Sequence, residues 1–375
     1  MAKKIFFGNY KGGVGKTTST YQIAYELFQR YEKNVLLLDL DPQSSLSGIC
    51  MNKCHQKLDD TEEIKFIDNY GVIRTKSKLS FKTLNYVYAL YMQARMMNNI
   101  KFTIEYDKIV LNIDKLDKPM SLPAPPRAAQ TIFPMTFPQP EPCPLVPSQP
   151  VANTVPAIAQ QQPRLDFIPN SLFSEYGGLD KISIEVGKSI ENLLVLRDFI
   201  EDNKLNDRYD YILFDCPPSN NIITQSAFLY CDYYIIPTIM DELSVKGVTH
   251  YISVIEKIYA DYCVNHDHAD VLSLVFGKKP QLIGIFETMR KGRSDTGEAQ
   301  RQLKDAFEEE GSPYRKFIFE SEIKDINAIA DETGKGNKCT GDGHSDWIKS
   351  GDKVGYGPVT SEMLEFLAKL EQRRV

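Results

Sequence analysis

A run of residues near the start of the chain has the composition of a phosphate-binding loop. It reads Lys11-Gly12-Gly13-Val14-Gly15-Lys16-Thr17-Thr18. Its three glycines allow successive backbone N–H groups to turn toward a phosphate without interference from Cβ atoms. At this spacing Lys16 reaches the β- and γ-phosphates of a nucleotide, and the Thr17 hydroxyl can bind Mg²⁺. The run therefore predicts a nucleoside-triphosphate site formed by Lys11, Gly12, Gly13, Val14, Gly15, Lys16, Thr17 and Thr18.

The flanking residues predict the two elements that would hold this loop. Ile5-Phe6-Phe7 is a short apolar run of the kind found in buried strands. After the loop, apolar residues recur on one helical face at Ile23, Ala24, Leu27, Phe28 and Tyr31. The loop should therefore join a strand to a helix N-terminus, where free N–H groups and the helix dipole favour anions.

Lys11 adds a second cation to the loop. Because Lys16 already serves the phosphates, Lys11 has no obvious phosphate to reach in its own subunit, and a solvated surface lysine is one interpretation. The whole run, however, resembles the deviant phosphate-binding loop of the ParA/MinD/Soj family of ATPases. This resemblance implies that Lys11 crosses a dimer interface to the partner's ATP. It therefore implies a homodimer that encloses ATP, with Lys11 and Lys16 both acting in catalysis.

Two acidic residues follow the next predicted strand. Val35 to Leu38 are apolar, as in a strand buried on both faces, and Asp39-Leu40-Asp41-Pro42-Gln43 follows. Ligands of parallel sheets bind at the carboxyl edge of the strands. The pattern resembles the family's D-x-D-P-Q, which implies that Asp41 orients the water attacking the γ-phosphate and that Asp39 supports the Mg²⁺ shell. The alternative is a helix cap after Asp41, with Pro42 at the first helical position.

A third acidic strand end completes the predicted site. Tyr211 to Phe214 form an apolar run that ends at Asp215, and together with the phosphate loop this predicts a Walker B carboxylate acting on Mg²⁺. Residues 234–247 resemble the family's next block, which implies that Pro237 borders the adenine; an ordinary strand and helix start is the alternative. The predicted magnesium residues are Thr17, Asp39 and Asp215.

Composition and element order predict the fold class. The chain has 375 residues, of which 42% are hydrophobic, so it can bury one large core. Its seven cysteines follow no disulfide or zinc pattern, and the absence of an apolar leader or a long apolar run predicts a cytoplasmic protein; the resemblance to ParA-like proteins implies that it is nucleoid-associated. Strands alternating with helices predict an α/β P-loop NTPase with a mostly parallel twisted sheet, helices on both faces and an inserted Pro-rich excursion.

The predicted domain organisation has an interruption. Residues 1–53 and 164–375 are assigned to the ATPase domain, and residues 54–118 to an insertion with a helix from Leu84 to Met97 and a hairpin around Asp107. Residues 119–163 hold 13 of the 21 prolines, a density that forbids helices and central strands. This last segment is predicted to be flexible.

The final helix has two interpretations. A helix is predicted by the apolar residues Met363, Phe366, Leu367 and Leu370, which are spaced at i, i+3, i+4 and i+7. MinD-like proteins carry a membrane-binding amphipathic helix at their C-terminus. Here the polar face includes Glu362, Glu365 and Glu371, which suit anionic lipid poorly. The pattern therefore favours a helix docked on its own sheet, and no membrane partner is expected.

A basic cluster in the C-terminal half suggests a nucleic-acid partner although the net charge is −6. It consists of Arg290, Lys291, Arg293, Arg301 and Lys304. ParA-like proteins bind DNA nonspecifically through basic residues in this half, so the resemblance implies the same here; solvated charges on a helix are the alternative. Because no segment for a DNA-binding domain precedes the first predicted strand at Ile5-Phe6-Phe7, specific DNA recognition is expected in a ParB-like adaptor rather than in this chain.

The function implied by the resemblance is that of a ParA/Soj-type partition ATPase. ATP and Mg²⁺ would hold two subunits together, the dimer would bind DNA, and a ParB-like adaptor would stimulate hydrolysis and release. Two alternatives remain at this point. One is a MinD-like membrane-cycling positioning ATPase, and the other is a nucleotide-dependent biosynthetic enzyme of the same superfamily.

Overall fold

The computed structural model describes residues 1–58, 82–97, 106–113, 163–172, 174, 176–290, 297–309, 313–324, 327–338 and 353–372. The chain divides into two units, residues 1–119 with 163–375 and residues 120–162, and the described residues all belong to the first. The predicted Pro-rich segment lies outside the described residues except for Pro163.

One mostly parallel sheet organises the described residues. Its strands are β1 (Lys3–Phe7), β2 (Val35–Asp39), β3 (Leu111–Asn112), β4 (Leu165–Ile168), β5 (Tyr211–Asp215), β6 (Tyr233–Thr238), β7 (Gln281–Arg290) and β8 (Ile318–Lys324). They lie in the order β3-β4-β2-β5-β1-β6-β7-β8, and only β3 runs antiparallel to its neighbour. The predicted parallel α/β sheet is confirmed.

Helices cover both faces of this sheet. They are α1 (Lys16–Gln29), α2 (Ser45–Leu58), α3 (Leu84–Met96), α4 (Tyr106–Ile109), α5 (Leu179–Val186), α6 (Val195–Asp202), α7 (Leu205–Arg208), α8 (Ile222–Tyr230), α9 (Glu242–Cys263), α10 (Ala269–Phe276), α11 (Gly297–Glu309), α12 (Asn327–Gly334) and α13 (Tyr356–Gln372). Short 3₁₀ segments add Ile190–Leu194 and Pro313–Phe317. Successive strand residues alternate between two apolar cores: Phe6 packs with α3, α6 and α8, whereas Ile5 and Phe7 pack with α1, α2 and α13.

Part of the predicted insertion packs on the sheet. Leu84, Val87 and Tyr88 of α3 belong to the same apolar core as α6. The hairpin expected around Asp107 is wrong, because Asp107 lies in α4. Tyr106 and Ile109 are one helical turn apart and are both buried in that core, so the helical period prevails there and strand pairing begins only at β3. The boundaries of the ATPase domain within this stretch stay a prediction.

The last helix, α13, is docked on its own domain, as its pattern favoured. Val359, Met363 and Leu367 are fully buried in the core shared with α1, β1 and β2. The Tyr356 hydroxyl also lies 3.3 Å from the Ser19 hydroxyl of α1. The apolar face of α13 is therefore covered by protein.

Truncating Leu367 to alanine is expected to lower the free energy of unfolding by about 2–5 kcal/mol, because the side chain is fully buried and leaves a cavity. Chemical denaturation followed by circular dichroism measures this loss. The control is Glu365→Ala on the same helix, where the exposed side chain should change stability by less than about 0.5 kcal/mol. Equal effects of the two substitutions would contradict the packing of α13.

Candidate nucleotide site

The predicted site residues converge because their strands are neighbours. In the parallel register, Asp215 at the end of β5 lies beside Asp39 at the end of β2 and beside Phe7 at the end of β1. The glycine-rich loop leaves β1 directly after Phe7 and leads into α1. The loop and both acids therefore meet at the carboxyl edge of the sheet, where ligands of such sheets bind.

The loop has the backbone that its glycines predict. Gly13 and Gly15 have φ values of 71° and 74°, in the left-handed region that favours glycine. Gly15 precedes α1 and provides no side-chain cap, so the first N–H groups of the helix face the loop. Thr288 of β7 fixes the loop from behind, because its hydroxyl lies 2.8 Å from the Val14 carbonyl oxygen and 3.0 Å from that of Thr238. Oriented N–H groups at a helix start form an anion site.

Lys16 lies over its own loop. It is 7% exposed, and its ammonium donates a hydrogen bond to the Lys11 carbonyl oxygen at 3.1 Å. Burial lowers the pKa of Lys16, and the nearby Asp215 and Asp41 carboxylates oppose that shift. A desolvated ammonium held at the loop provides the positive charge that a triphosphate requires.

Lys11 points away from its own loop. Its ammonium donates to Asp241 Oδ2 at 2.7 Å and to Ser244 Oγ at 2.8 Å, at the start of α9. Burial acts to raise the pKa of Asp241, but the hydrogen bonds from Lys11 and Ser244 outweigh it and leave that pKa below its usual value. Lys11 is therefore an exposed lysine that is ion-paired with Asp241 in its own chain, and its reach to a partner's ATP stays a prediction.

Asp39 and Asp41 hold the segment between β2 and α2. Both Asp39 oxygens accept hydrogen bonds: Oδ1 from the Asp41 N–H at 3.1 Å, and Oδ2 from the N–H and hydroxyl of Ser47 at 2.7 and 2.6 Å. Asp41 Oδ1 accepts from the Gln43 N–H at 2.9 Å. The helix-cap interpretation of Asp41 and Pro42 is wrong, because α2 begins at Ser45 and Asp39 binds its first turn.

Asp215 retains an unused oxygen. It is fully buried, and its Oδ2 has no hydrogen-bond partner among the described residues. Its other contacts are side-chain hydrogen bonds from Thr17 and Thr20. Burial raises the pKa of Asp215 well above its usual range, and the Asp39 carboxylate adds to this shift. An orphaned buried carboxylate oxygen beside a threonine hydroxyl fits a hard divalent cation such as Mg²⁺, which takes oxygen ligands.

Pro237 lies near the loop at the end of β6. Pro237 pairs only with β7, because the pairing of β6 with β1 ends at Ile235. The absence of an N–H on this proline therefore removes no hydrogen bond between strands. Its carbonyl oxygen accepts a hydrogen bond from Asn9 Nδ2 at 2.9 Å, while Asn9 Oδ1 accepts from the Lys11 N–H. Contact of Pro237 with adenine stays a prediction.

Sequence reasoning missed Asn9, Thr288 and Asn170. Asn170 follows the end of β4 and donates from Nδ2 to the carbonyl oxygens of Asp39 and Asp41 at 3.0 and 2.6 Å. A signal was available, because Asn170 is a polar residue directly after a predicted parallel strand, at the edge where the site forms.

The structure describes three residues of the predicted basic cluster, Arg290, Arg301 and Lys304, and their joint role as one surface stays a prediction. Arg290 is ion-paired with Glu322, and the Arg301 side chain donates to the Gly297 carbonyl oxygen of its own helix. Lys291 and Arg293 lie outside the described residues. Lys304 lines an open groove with two cations that the sequence did not single out; the lining residues are Lys304, Arg315, Lys316, Ile318 and Glu320.

Comparisons with known proteins agree with this geometry. A family model described as "AAA domain" matches residues 2–113 and 151–267. The chain is 31% identical over 102 residues to the chromosome partitioning protein ParA of Caulobacter vibrioides, a match covering 27% of this chain and only 36% of that protein. It is 24% identical over 313 residues to the virulence plasmid ParA family protein pGP5-D of Chlamydia psittaci, covering 80% and 82% of the two chains.

Solved structures share the fold. Apo McdA of Cyanothece superposes with a TM-score of 0.56 at 16% identity, covering 98% of this chain and all of that one. The septum site-determining protein MinD of Pyrococcus horikoshii, complexed with Mg-ADP, gives a TM-score of 0.51 at 16% identity over 100% and 99% of the two chains. No helix among the described residues is both long and apolar enough to cross a membrane. Since the family model matches more than half of its residues, the chain belongs to the AAA domain family.

Proposed function

We propose that this chain forms a homodimer when it binds ATP, and that the dimer binds DNA and serves in partition. Hydrolysis of the ATP then separates the two subunits. The observation that carries the proposal is the arrangement of the two lysines: Lys16 covers its own loop, whereas Lys11 extends away from it to Asp241. A second cation that does not serve its own loop is available to another subunit. Its natural target there is the second copy's nucleotide, because the anion site is the same in both subunits.

The chemistry of phosphoryl transfer assigns a role to each group. The N–H groups of the loop and Lys16 hold the phosphates, and Thr17 with Asp215 would hold Mg²⁺, which neutralises charge on the transferring phosphoryl group when bound. Asp41 orients the attacking water. Asp39 shapes the Asp41 segment through its bonds to Ser47 and to the Asp41 N–H, and supports the magnesium shell indirectly. Positioning and charge carry such a reaction, since little covalent chemistry is left to the protein.

Dimerisation requires Lys11 to change partners. In the ATP-enclosing homodimer its ammonium leaves Asp241 and binds the phosphates of the neighbouring subunit. Nucleotide binding and subunit pairing then become a single event, and hydrolysis reverses both. A ParB-like adaptor would supply the stimulus for hydrolysis, in keeping with the ParA names of the relatives.

The DNA surface is assigned to the groove between α11 and the Pro313–Phe317 segment. Lys304, Arg315 and Lys316 line it together with Glu320; Arg315 is ion-paired with Glu308, and Lys316 is exposed. Binding through such cations is independent of sequence and sensitive to salt, because it releases counterions from the phosphate backbone. This nonspecific binding is the basis of the proposed nucleoid association. Burial of the apolar face of α13 supports DNA rather than a lipid surface as the partner.

Replacing Lys304 and Lys316 together by glutamine is expected to weaken ATP-dependent binding to nonspecific duplex DNA by about tenfold or more at low salt. In a dimer up to four phosphate contacts are lost. The negative slope of log affinity against log salt should therefore become shallower by roughly two to four. Fluorescence anisotropy across a salt series measures both quantities.

The control for this pair is Lys181→Gln with Lys188→Gln, two exposed lysines on and after α5. It removes the same charge from another surface and should leave the slope unchanged. If wild-type protein with ATP binds anionic vesicles instead of DNA, a MinD-like cycle replaces the proposal. Stimulation of turnover by a small metabolite but not by DNA would indicate a biosynthetic relative.

A further inference from the structure

We propose that Asn170 is the positioning residue that holds Asp41 in its hydrolytic place, and that the start of α3 holds Asn170. This inference rests on the proposed function, because it assumes that Asp41 orients the attacking water. It also gives a role to Leu84 and Asn85, which lie in a stretch that the sequence left without one.

Asn170 is bonded to the Asp41 segment and to the first turn of α2 through both polar atoms of its side chain and its backbone N–H. Its Nδ2 donates to the carbonyl oxygens of Asp39 and Asp41, its Oδ1 accepts from the Ser44 hydroxyl, and its N–H donates to Ser47 Oγ at 2.9 Å. The residue is 2% exposed. A buried amide with every group satisfied fixes its neighbours in one arrangement.

The segment that Asn170 holds contains an unfavourable backbone conformation. Ser44 has a φ of 55°, in the left-handed region that is costly for residues other than glycine. Its N–H donates to the Asp41 carbonyl oxygen at 2.8 Å, the same oxygen that accepts from Asn170. Such a conformation persists only where surrounding contacts determine it. The Asn170 side chain binds the Asp41 carbonyl oxygen before Ser44 and the Ser44 hydroxyl itself, and the Asn170 N–H binds Ser47 after it.

The start of α3 fixes Asn170 in turn. Asn85 is fully buried; its Nδ2 donates to the carbonyl oxygens of Ser171 and Gly177 at 3.1 and 2.8 Å, and its Oδ1 accepts from the Ser171 N–H at 2.9 Å. The Leu84 N–H donates to the Pro169 carbonyl oxygen at 2.9 Å. The residues on either side of Asn170 are therefore bonded to α3.

These contacts hold the Asp41 backbone at both ends. Its N–H is bonded to Asp39 Oδ1, and its carbonyl oxygen to Asn170 and Ser44. The Asp41 side chain is thereby aimed from a fixed backbone rather than from a free loop. The rate of such a reaction depends strongly on the position of the Asp41 carboxylate, because a displacement of about 1 Å can lower the rate roughly 100-fold.

The test compares steady-state ATP turnover of the full chain with Asn170→Ala, Asp41→Ala and the double variant. Asn170→Ala is expected to lower kcat about 10- to 100-fold while KM for ATP changes less than about twofold, because only the aim of Asp41 is lost. In the Asp41→Ala background the same substitution should cause no further loss, since the residue acts through Asp41. Asn85→Ala should lower kcat about 3- to 10-fold, because it loosens the support one step further away.

The matched control is Asn203→Ala, which removes a buried asparagine bonded through Nδ2 to the Phe199 carbonyl oxygen at the end of α6. It should leave kcat unchanged. If Asn170→Ala does not fold, the isosteric Asn170→Asp, which lacks the Nδ2 donors, is measured instead with the same expectation. An equal loss from Asn170→Ala with and without Asp41, or a loss confined to KM, would overturn the proposal. Unimpaired turnover by Asp41→Ala would instead overturn the proposed role of Asp41.

Discussion

Replacing Asp41 by alanine is expected to lower kcat for ATP hydrolysis by about 100-fold or more, the usual contribution of a positioned acid–base group. Asp41 lies at the carboxyl edge of the sheet, and its negative charge acts to raise the pKa of the nearby Lys16 ammonium. Because Asp41 is not bonded to the phosphate loop, ATP binding and dimerisation should persist. The variant should therefore accumulate as an ATP-bound dimer that stays on DNA, as measured by turnover and by DNA dissociation rates.

The control for Asp41→Ala is Asp267→Ala, which removes an exposed carboxylate between α9 and α10. It should hydrolyse ATP at the wild-type rate. If Asp41→Ala turns over ATP normally, or if it loses nucleotide binding together with hydrolysis, then Asp41 does not orient the water.

Replacing Lys11 by glutamine is expected to weaken the ATP-dependent dimer by at least about 100-fold. Each subunit of a twofold dimer loses one charge-assisted bond to phosphate, and two such bonds amount to roughly 3–6 kcal/mol. Glutamine keeps a polar end group but lacks the charge, and its side chain is one bond shorter. Sedimentation velocity with a non-hydrolysable triphosphate and Mg²⁺ measures the dissociation constant of the dimer, and ATP binding to the monomer should remain within about threefold.

The companion variant is Asp241→Asn, which removes the carboxylate that holds Lys11 in its own chain. Asparagine can still accept the hydrogen bond from the Ser244 N–H and cap α9, so the helix should be preserved. Dimerisation should be as strong as in the wild type or stronger, since Lys11 no longer leaves an ion pair to reach the neighbour. A wild-type chain that stays monomeric with saturating triphosphate and Mg²⁺ would refute the dimer altogether.

The strands and principal helices could be predicted because their signals are local. Apolar runs such as Val35 to Leu38 and helical spacing such as Met363, Phe366 and Leu367 arise from burial against a sheet, and burial selects residue types at each position. The prediction of a hairpin around Asp107 was wrong because the local pattern there fits two structures. The apolar residues Tyr106, Ile109 and Leu111 suit alternating strand positions, but in the structure the first two lie in a helical turn and the third in a strand. The pairing of β3 with β4 and the contact of Tyr106 with Tyr209 decide where the helix ends and the strand begins, and both are tertiary contacts.

The nucleotide loop and its acids were predictable because each follows a strand directly. Asp39 and Asp215 end neighbouring parallel strands, so sequence order alone places them at one edge. Arg290 and Arg301 illustrate the opposite case. Their spacing suggested a shared basic surface, yet each side chain has a neighbour that sequence spacing does not reveal, Glu322 for Arg290 and the Gly297 carbonyl for Arg301.

The sequence by itself determined the chemistry of this protein: a glycine-rich loop with two lysines and acids at strand ends specify a phosphate site, because these features depend on neighbours along the chain. The tertiary structure alone decided which groups touch. It paired Lys11 with Asp241, left one oxygen of Asp215 without a partner among the described residues, and set Asn170 against the Asp41 segment. Such contacts join residues more than 100 positions apart, and their partners follow from strand order and packing, which no local pattern encodes.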